Sequence, residues 1–264
     1  KTPIFRVFET IKSEAARYGI NVTSSEIVGL LPNQAILDVS DFFLRLENFS
    51  REQVLEEKLR DVATSGQQGE TFYDEVASSS PAPGGGSVSS SAGALSAALT
   101  AMVCRLTVSK KKYAKVKDEL SEVRDRADVL RADLTKLIET DKESFNAVME
   151  AFKLPKSDKR DQAVEEANKG ASLVPLEVMK KSLEVLELAR TVAAEGNENS
   201  ITDAGVAGLM GQAAVEGAGY NVRINLTSIE DKDFVKKLTD ESTKIRKEAE
   251  QVASEIRNLV EDKL

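Results

Sequence analysis

Residues 76–104 read VASSSPAPGGGSVSSSAGALSAALTAMVC and carry no charge, in a chain where 30% of residues are Asp, Glu, Lys or Arg. Such a run constrains the fold more than any other stretch. Pro81, Pro83 and the glycines Gly84, Gly85 and Gly86 make a turn, and a helical pattern follows it. Val88, Ser91, Leu95, Leu99, Met102 and Leu106 recur at steps of three and four, as one helix face requires. A second face, Ser89, Gly93, Ser96, Thr100 and Cys104, is built of small residues that let neighbouring helices come close. This helix is therefore expected at the centre of a helical assembly. Its first turn offers unpaired N–H groups behind a glycine-rich approach, which suits an anion or carboxylate. A plain turn or a flexible linker remains open for the glycines. The dense apolar part is only about a dozen residues, nearer a buried core helix than a membrane span. The run lacks the G-x-x-x-x-G-K-[ST] of a P-loop.

Composition narrows the chemistry. The formal charge of −8 argues against a general nucleic-acid binder. The single cysteine, Cys104, excludes an internal disulfide or a cysteine-rich metal site. With no recognisable signal peptide, a reducing cytoplasm is expected, although the chain starts at Lys1 rather than Met. The sequence has no histidine, so acid–base work falls to carboxylates, lysines, tyrosines or the substrate itself. Histidine metal sites are likewise excluded, and no metal is expected.

Before the central stretch, residues 4–18 have a helical apolar face ended by Gly19. Residues 20–31 read as a strand closed by Pro32, and residues 33–46 as a second helix. Ser50 and Gln53 form a candidate capping box for a short helix reaching residue 59. Residues 61–69 (DVATSGQQG) read as a linker, and a short helix around 71–78 follows. Beyond the central helix stands a basic knot, Lys110, Lys111, Lys112 and Tyr113. It is either a solvated helix end or a docking point for a polyanionic tail.

The longest periodic signal runs through Val116, Leu120, Val123, Ala127, Leu130, Leu134 and Leu137, in alternating steps of four and three. The next position in the stripe is Asp141, after which Phe145, Val148 and Phe152 resume it. A carboxyl in a seat reserved for apolar side chains should have a raised pKa, as a general acid near neutral pH needs. A wet gap, a helix end or a structural ion pair would give the same pattern. Leu154-Pro155 interrupts this helix, and two further helices are expected at 159–173 and 176–194, divided by Pro175. Asn197, Asn199, Thr202 and Asp203 then cluster before another small-residue helix, as capping residues or as readers of a heterocycle edge. The passage NVRINL places Asn221 and Asn225 about a bend, and a final helix spans 231–264 with near-heptad spacing.

PAPGGGSV, LIETDKESF, AFKLPK, GNENSITDAGVA and GAGYNVRINL, in that order across residues 70–230, resemble formiminotransferase–cyclodeaminase. SSEIVGLLPNQAILD and LRLENFSREQVLE in residues 1–60 resemble the end of that family's transferase half. The resemblance implies a mostly α protein. A cyclodeaminase-type helical bundle (70–264) would follow a small α/β transferase remnant (1–60) and a linker (61–69). It further implies a homodimer or higher ring. The reaction implied converts 5-formimidoyltetrahydrofolate to 5,10-methenyltetrahydrofolate and ammonia, in histidine degradation and one-carbon metabolism. No cofactor beyond the folate substrate is implied. The family's transferase histidine has no counterpart here, so transferase activity is not expected. Its catalytic aspartate falls on Asp141. Gly84, Gly85, Gly86 and Ser87 are then assigned to the folate. Asn197, Asp203, Asn221 and Asn225 are assigned to the pterin or N5–N10 region. Lys110 to Lys112 and Lys156 are assigned to a polyglutamate tail. Two alternatives stay open: a methenyltetrahydrofolate cyclohydrolase of the same helical family, and a non-catalytic assembly module.

Overall fold

The structure is a computed structural model that describes residues 2–47, 49–50, 53–56, 58 and 71–264. The chain divides into two compact units, Lys1–Thr71 and Phe72–Leu264.

The first unit holds helices α1 (Ile4–Arg17) and α2 (Asn33–Leu44). They meet through aromatic rings: Phe5 stacks on Phe42 at 4.3 Å, and Phe8 meets Phe43 edge-on. Gly19, at φ 70°, follows α1 as expected of a helix terminator. The strand expected at 20–31 does not form, and no strand occurs among the described residues. A strand needs a partner for its N–H and C=O groups, and here only helices flank the segment. The capping-box bond is present, Gln53 accepting from the Ser50 N–H at 2.9 Å. The expected linker, 61–69, lies outside the described residues.

The second unit opens with a short helix, α3 (Phe72–Ala77), and continues with α4 (Gly85–Val108), α5 (Lys117–Lys153), α6 (Asp158–Glu195), α7 (Ile201–Leu226) and α8 (Lys232–Glu261). Helix α4 packs against α5, α6 and α7, while α8 lies along α6 and α7. Short connections make consecutive helices antiparallel. The start of α4, the end of α5, the start of α6 and the end of α7 therefore share one end of the bundle.

Helix α4 is long and apolar enough to cross a membrane by length and hydropathy alone, but it sits inside the bundle with its small face inward. Ser89, Ser90, Gly93, Ser96, Ala97, Thr100 and Ala101 are buried. A Cβ on Gly93 would come within 2.6 Å of Ser182 Oγ, and one on Gly217 within 2.4 Å of Ser89 Oγ. The face of larger residues looks outward, with Leu95 49% exposed. Close helix approach thus outweighs burial of the larger side chains along this helix. Burying serine and threonine is cheap here because their hydroxyls bond to carbonyls: Ser96 Oγ donates to Ala207 O at 2.7 Å, across to α7.

Helix α5 buries Leu120, Val123, Ala127, Leu130 and Leu134, the stripe read from the sequence. It ends where Leu154 turns extended before Pro155. Two expected breaks are absent. Pro175 does not divide the next segment, because α6 runs unbroken through it. A proline there cannot bond the carbonyl four residues back, and that carbonyl, Ala171 O, accepts instead from Asn225 Nδ2 of α7 at 2.8 Å. Nor does NVRINL bend: Asn221 and Asn225 lie one turn apart on a single face of α7.

Candidate active site

A cavity of about 230 Å³ opens where α4 begins. Pro81, Ala82 and Gly84–Gly86 form one wall, and α5 supplies Asp141, Ser144, Phe145 and Val148. Asn168 and Ala171 come from α6, and Asn221 and Asn225 from α7. Four helices thus build one pocket, with Phe145 and Val148 beside Asp141 and Ser144 on the α5 side and amides on the other.

Asp141 lies against the first turn of α4. Its Oδ2 accepts from Ser87 Oγ at 2.9 Å, and its Oδ1 lies where a Cβ on Gly86 would be, 2.1 Å from that ideal position. Glycine at 86 is thus what lets the carboxyl reach the helix end. Burial pushes the Asp141 pKa up, and hydrogen bonds from the Ser87 side chain and backbone pull part of the way back. Lys142, its neighbour in sequence, does not neutralise it, because that ammonium pairs with Glu75 at 3.1 Å and Glu139 at 3.2 Å. A half-buried carboxyl with a raised pKa, paired with no cation among the described residues, can hold and release a proton.

The amides are oriented by the backbone. Asn221 Nδ2 donates to Gly217 O at 2.9 Å and Asn225 Nδ2 to Ala171 O. Asn168 Nδ2 reaches Ser228 O at 3.5 Å. Each amide spends a donor on the protein, and no bond within the protein uses its Oδ1 among those described.

This arrangement agrees with what the chain is similar to. Residues 68–244 match the family described as formiminotransferase-cyclodeaminase, and residues 1–65 match the formiminotransferase domain. The chain belongs to the formiminotransferase-cyclodeaminase family. A methenyltetrahydrofolate cyclohydrolase of Methylorubrum extorquens is 40% identical over 74% of this chain and 96% of its own length. The formimidoyltransferase-cyclodeaminase of Gallus gallus is 28% identical over 98% of this chain. The chain spans about half of that bifunctional relative, 54% of its length. The crystal structure of a formiminotetrahydrofolate cyclodeaminase from Thermotoga maritima superposes with a TM-score of 0.68 at 31% identity, covering 72% of this chain and 94% of the other.

Within this family member, the residues singled out from sequence fall into two groups. Asp141, Gly84, Gly85, Gly86, Asn221 and Asn225 converge on the cavity. Ser87 stands behind its wall, fully buried, and acts on Asp141 rather than facing the pocket. Asn197, Asp203 and Lys110 lie at the opposite end of the bundle. Asn197 caps a short 3-10 turn (Glu198–Ser200), and its N–H donates to Thr107 Oγ1 near the end of α4. Asp203 is in the first turn of α7, about 27 Å from Asn221 at about 1.5 Å per residue. Lys110 is exposed, and Lys112 pairs with Glu198 at 2.7 Å, so the basic knot is tied to the α6–α7 junction. Lys156 is exposed in the α5–α6 turn, on the pocket's end of the bundle but outside its lining.

Asn168 is the pocket residue the sequence reading missed. It is only 8% exposed and stands in line with Ala171, Ser172, Pro175 and Met179, all buried on α6. A polar residue in an apolar stripe is the signal that marked Asp141, but treating Pro175 as a break cut this stripe short.

Proposed function

We propose that the chain is a formimidoyltetrahydrofolate cyclodeaminase acting through Asp141. The observation that carries this reading is a half-buried carboxyl, paired with no cation among the described residues, set in the pocket where the segments that resemble the family converge. The cavity, at about 230 Å³, is below the usual range for a whole drug-sized ligand and suits a bicyclic head with its N5–N10 edge. The Oδ1 atoms of Asn168, Asn221 and Asn225, which accept no bond among the described residues, suit the N–H donors of a 2-amino-4-oxo-pteridine. In the reaction, N10 attacks the carbon of the formimino group in its protonated form, N5–CH=NH2+, and closes the five-membered ring, the positive charge passing to the methenyl product. The protonated Asp141 gives its proton to the departing nitrogen, and C–N cleavage releases ammonia. The carboxylate then accepts the proton lost by N10, which returns it to the acid form.

The match of residues 1–65 to the formiminotransferase domain favours this reaction, because a transferase of that family makes the formimino substrate. A second reading is methenyltetrahydrofolate cyclohydrolase, favoured by the 40% identity to such an enzyme. Supplying the purified chain separately with 5-formimidoyltetrahydrofolate and 5,10-methenyltetrahydrofolate distinguishes them. Ammonia released with methenyl absorbance is the expected result. Hydrolysis of the methenyl compound without ammonia release from the formimino compound would replace this reading with the second.

A further inference from the structure

Across α7 from the folate-side amides, a second and much smaller cavity lies between α6, α7 and α8. Met179, Gly219, Arg223, Ser242, Thr243 and Arg246 line it, and its volume is about 60 Å³. Gly219 and Arg223 alternate along α7 with Asn221 and Asn225 at two-residue offsets, so they face away from the folate pocket.

Two arginines, Arg223 and Arg246, line this space, and no acidic residue does among the described residues. Other cations along these helices take acidic partners: Lys180 pairs with Glu241 at 2.8 Å and Arg190 with Glu255 at 2.7 Å. Among the described residues neither Arg223 nor Arg246 makes an ion pair. Arg223 is held on two sides. Its Nε donates to Gly219 O at 3.3 Å, and its guanidinium lies 4.9 Å from the centre of the Tyr220 ring. Its Nη donors remain for another acceptor. The Thr243 hydroxyl is also without a partner among the described residues, whereas Ser242 Oγ donates to Thr239 O at 3.1 Å.

We propose that this cavity is a binding site for one small oxyanion, a phosphate or a carboxylate, held between Arg223 and Arg246 with Thr243 as a third donor. An anion relieves the repulsion of the two like charges, and paired guanidinium forks match the oxygens of phosphate or carboxylate. The volume is about two waters' share of liquid, enough for one oxyanion and too small for a ring system. The site is separate from the Asp141 pocket and does not depend on the reaction assigned to it.

Calorimetric titration of the purified chain with inorganic phosphate at constant ionic strength tests this. One saturable site per chain is expected, with affinity reduced at least about tenfold in R223Q and in R246Q and less in R246K. K244Q, a neighbouring surface change, should bind as the parent does. Where titration is saturable, the melting midpoint should rise by roughly 3 °C at phosphate tenfold above Kd, and circular dichroism verifies that each variant is folded. Glutarate as competitor separates the sources: displacement of phosphate means that carboxylates are accepted, and failure to displace restricts the site to phosphate. Absence of saturable binding overturns the proposal, as does equal affinity in the parent, R223Q and R246Q, or an equal loss in K244Q.

Discussion

Ser87 Oγ donates to Asp141 Oδ2 over 2.9 Å, from the first turn of α4 to a carboxyl on α5. The same hydroxyl lies 3.2 Å from Ile138 O, so it is shared between the carboxyl and a carbonyl of α5. The bond favours the ionised form of the carboxyl, whereas burial favours the neutral form. Removing it with Ser87→Ala should raise the Asp141 pKa further. The alkaline limb of the pH–rate profile should then move to higher pH, and stability should fall by about 1–3 kcal/mol. An unmoved limb would separate Ser87 from the proton chemistry.

Asp141→Asn keeps the shape and removes the titrating proton. Turnover should fall about 10²- to 10⁴-fold, measured as methenyl product formed. Stability should respond oppositely. Because the folded-state pKa of Asp141 is raised, its contribution is present below the unfolded pKa and lost as pH rises through the folded one. The variant should therefore melt higher than the parent at pH 8, with the difference shrinking towards pH 4.

Gly86→Ala would put a methyl group 2.1 Å from Asp141 Oδ1. The carboxyl must move, so activity should drop by about 10²-fold, with roughly 1–3 kcal/mol of stability lost. Gly170→Ala on α6 meets nothing within 4 Å. It should keep full activity and gain about 0.5–1 kcal/mol from helix propensity, read by denaturant titration.

Asn225 repairs the hydrogen bond that Pro175 removes from α6. Asn225→Leu leaves Ala171 O unpaired and should cost about 1–3 kcal/mol. In the double variant Asn225→Leu, Pro175→Ala, the alanine N–H can serve that carbonyl. Most of the loss should return, and strict additivity in the double-mutant cycle would refute the link.

Asn168→Ala should raise KM for the folate at least about tenfold while the fold survives, because its amide lines the pocket. Asn197→Ala should do the reverse. Its side chain accepts from the Asn199 N–H at the far end of the bundle, so melting temperature should fall and kcat/KM should not change.

Asp141 was legible because a regular stripe of seven apolar residues surrounds the one seat it interrupts, and α5 forms as that stripe requires. The glycine turn was legible too, although its purpose was not: only packing shows that Gly86 leaves room for a carboxyl more than fifty residues away. Asn168 carried the same signal as Asp141 and went unread, because a proline looks like a helix end until a side chain from α7 supplies its missing partner. Asn197 and Asp203 form a polar cluster that reads equally as caps or as ligand contacts, and only the length of α7 shows that they stand a helix away from Asn221.

The sequence by itself determined α4, α5 and α8, the acidic seat in the α5 stripe and the family, since helix formation and apolar periodicity are local and act within a few residues. Tertiary structure alone decided which helix ends meet, which face of α4 is inward, and hence which polar residues share a cavity. Those choices depend on how closely backbones from distant parts of the chain can approach, a property of surfaces in contact that no single segment carries.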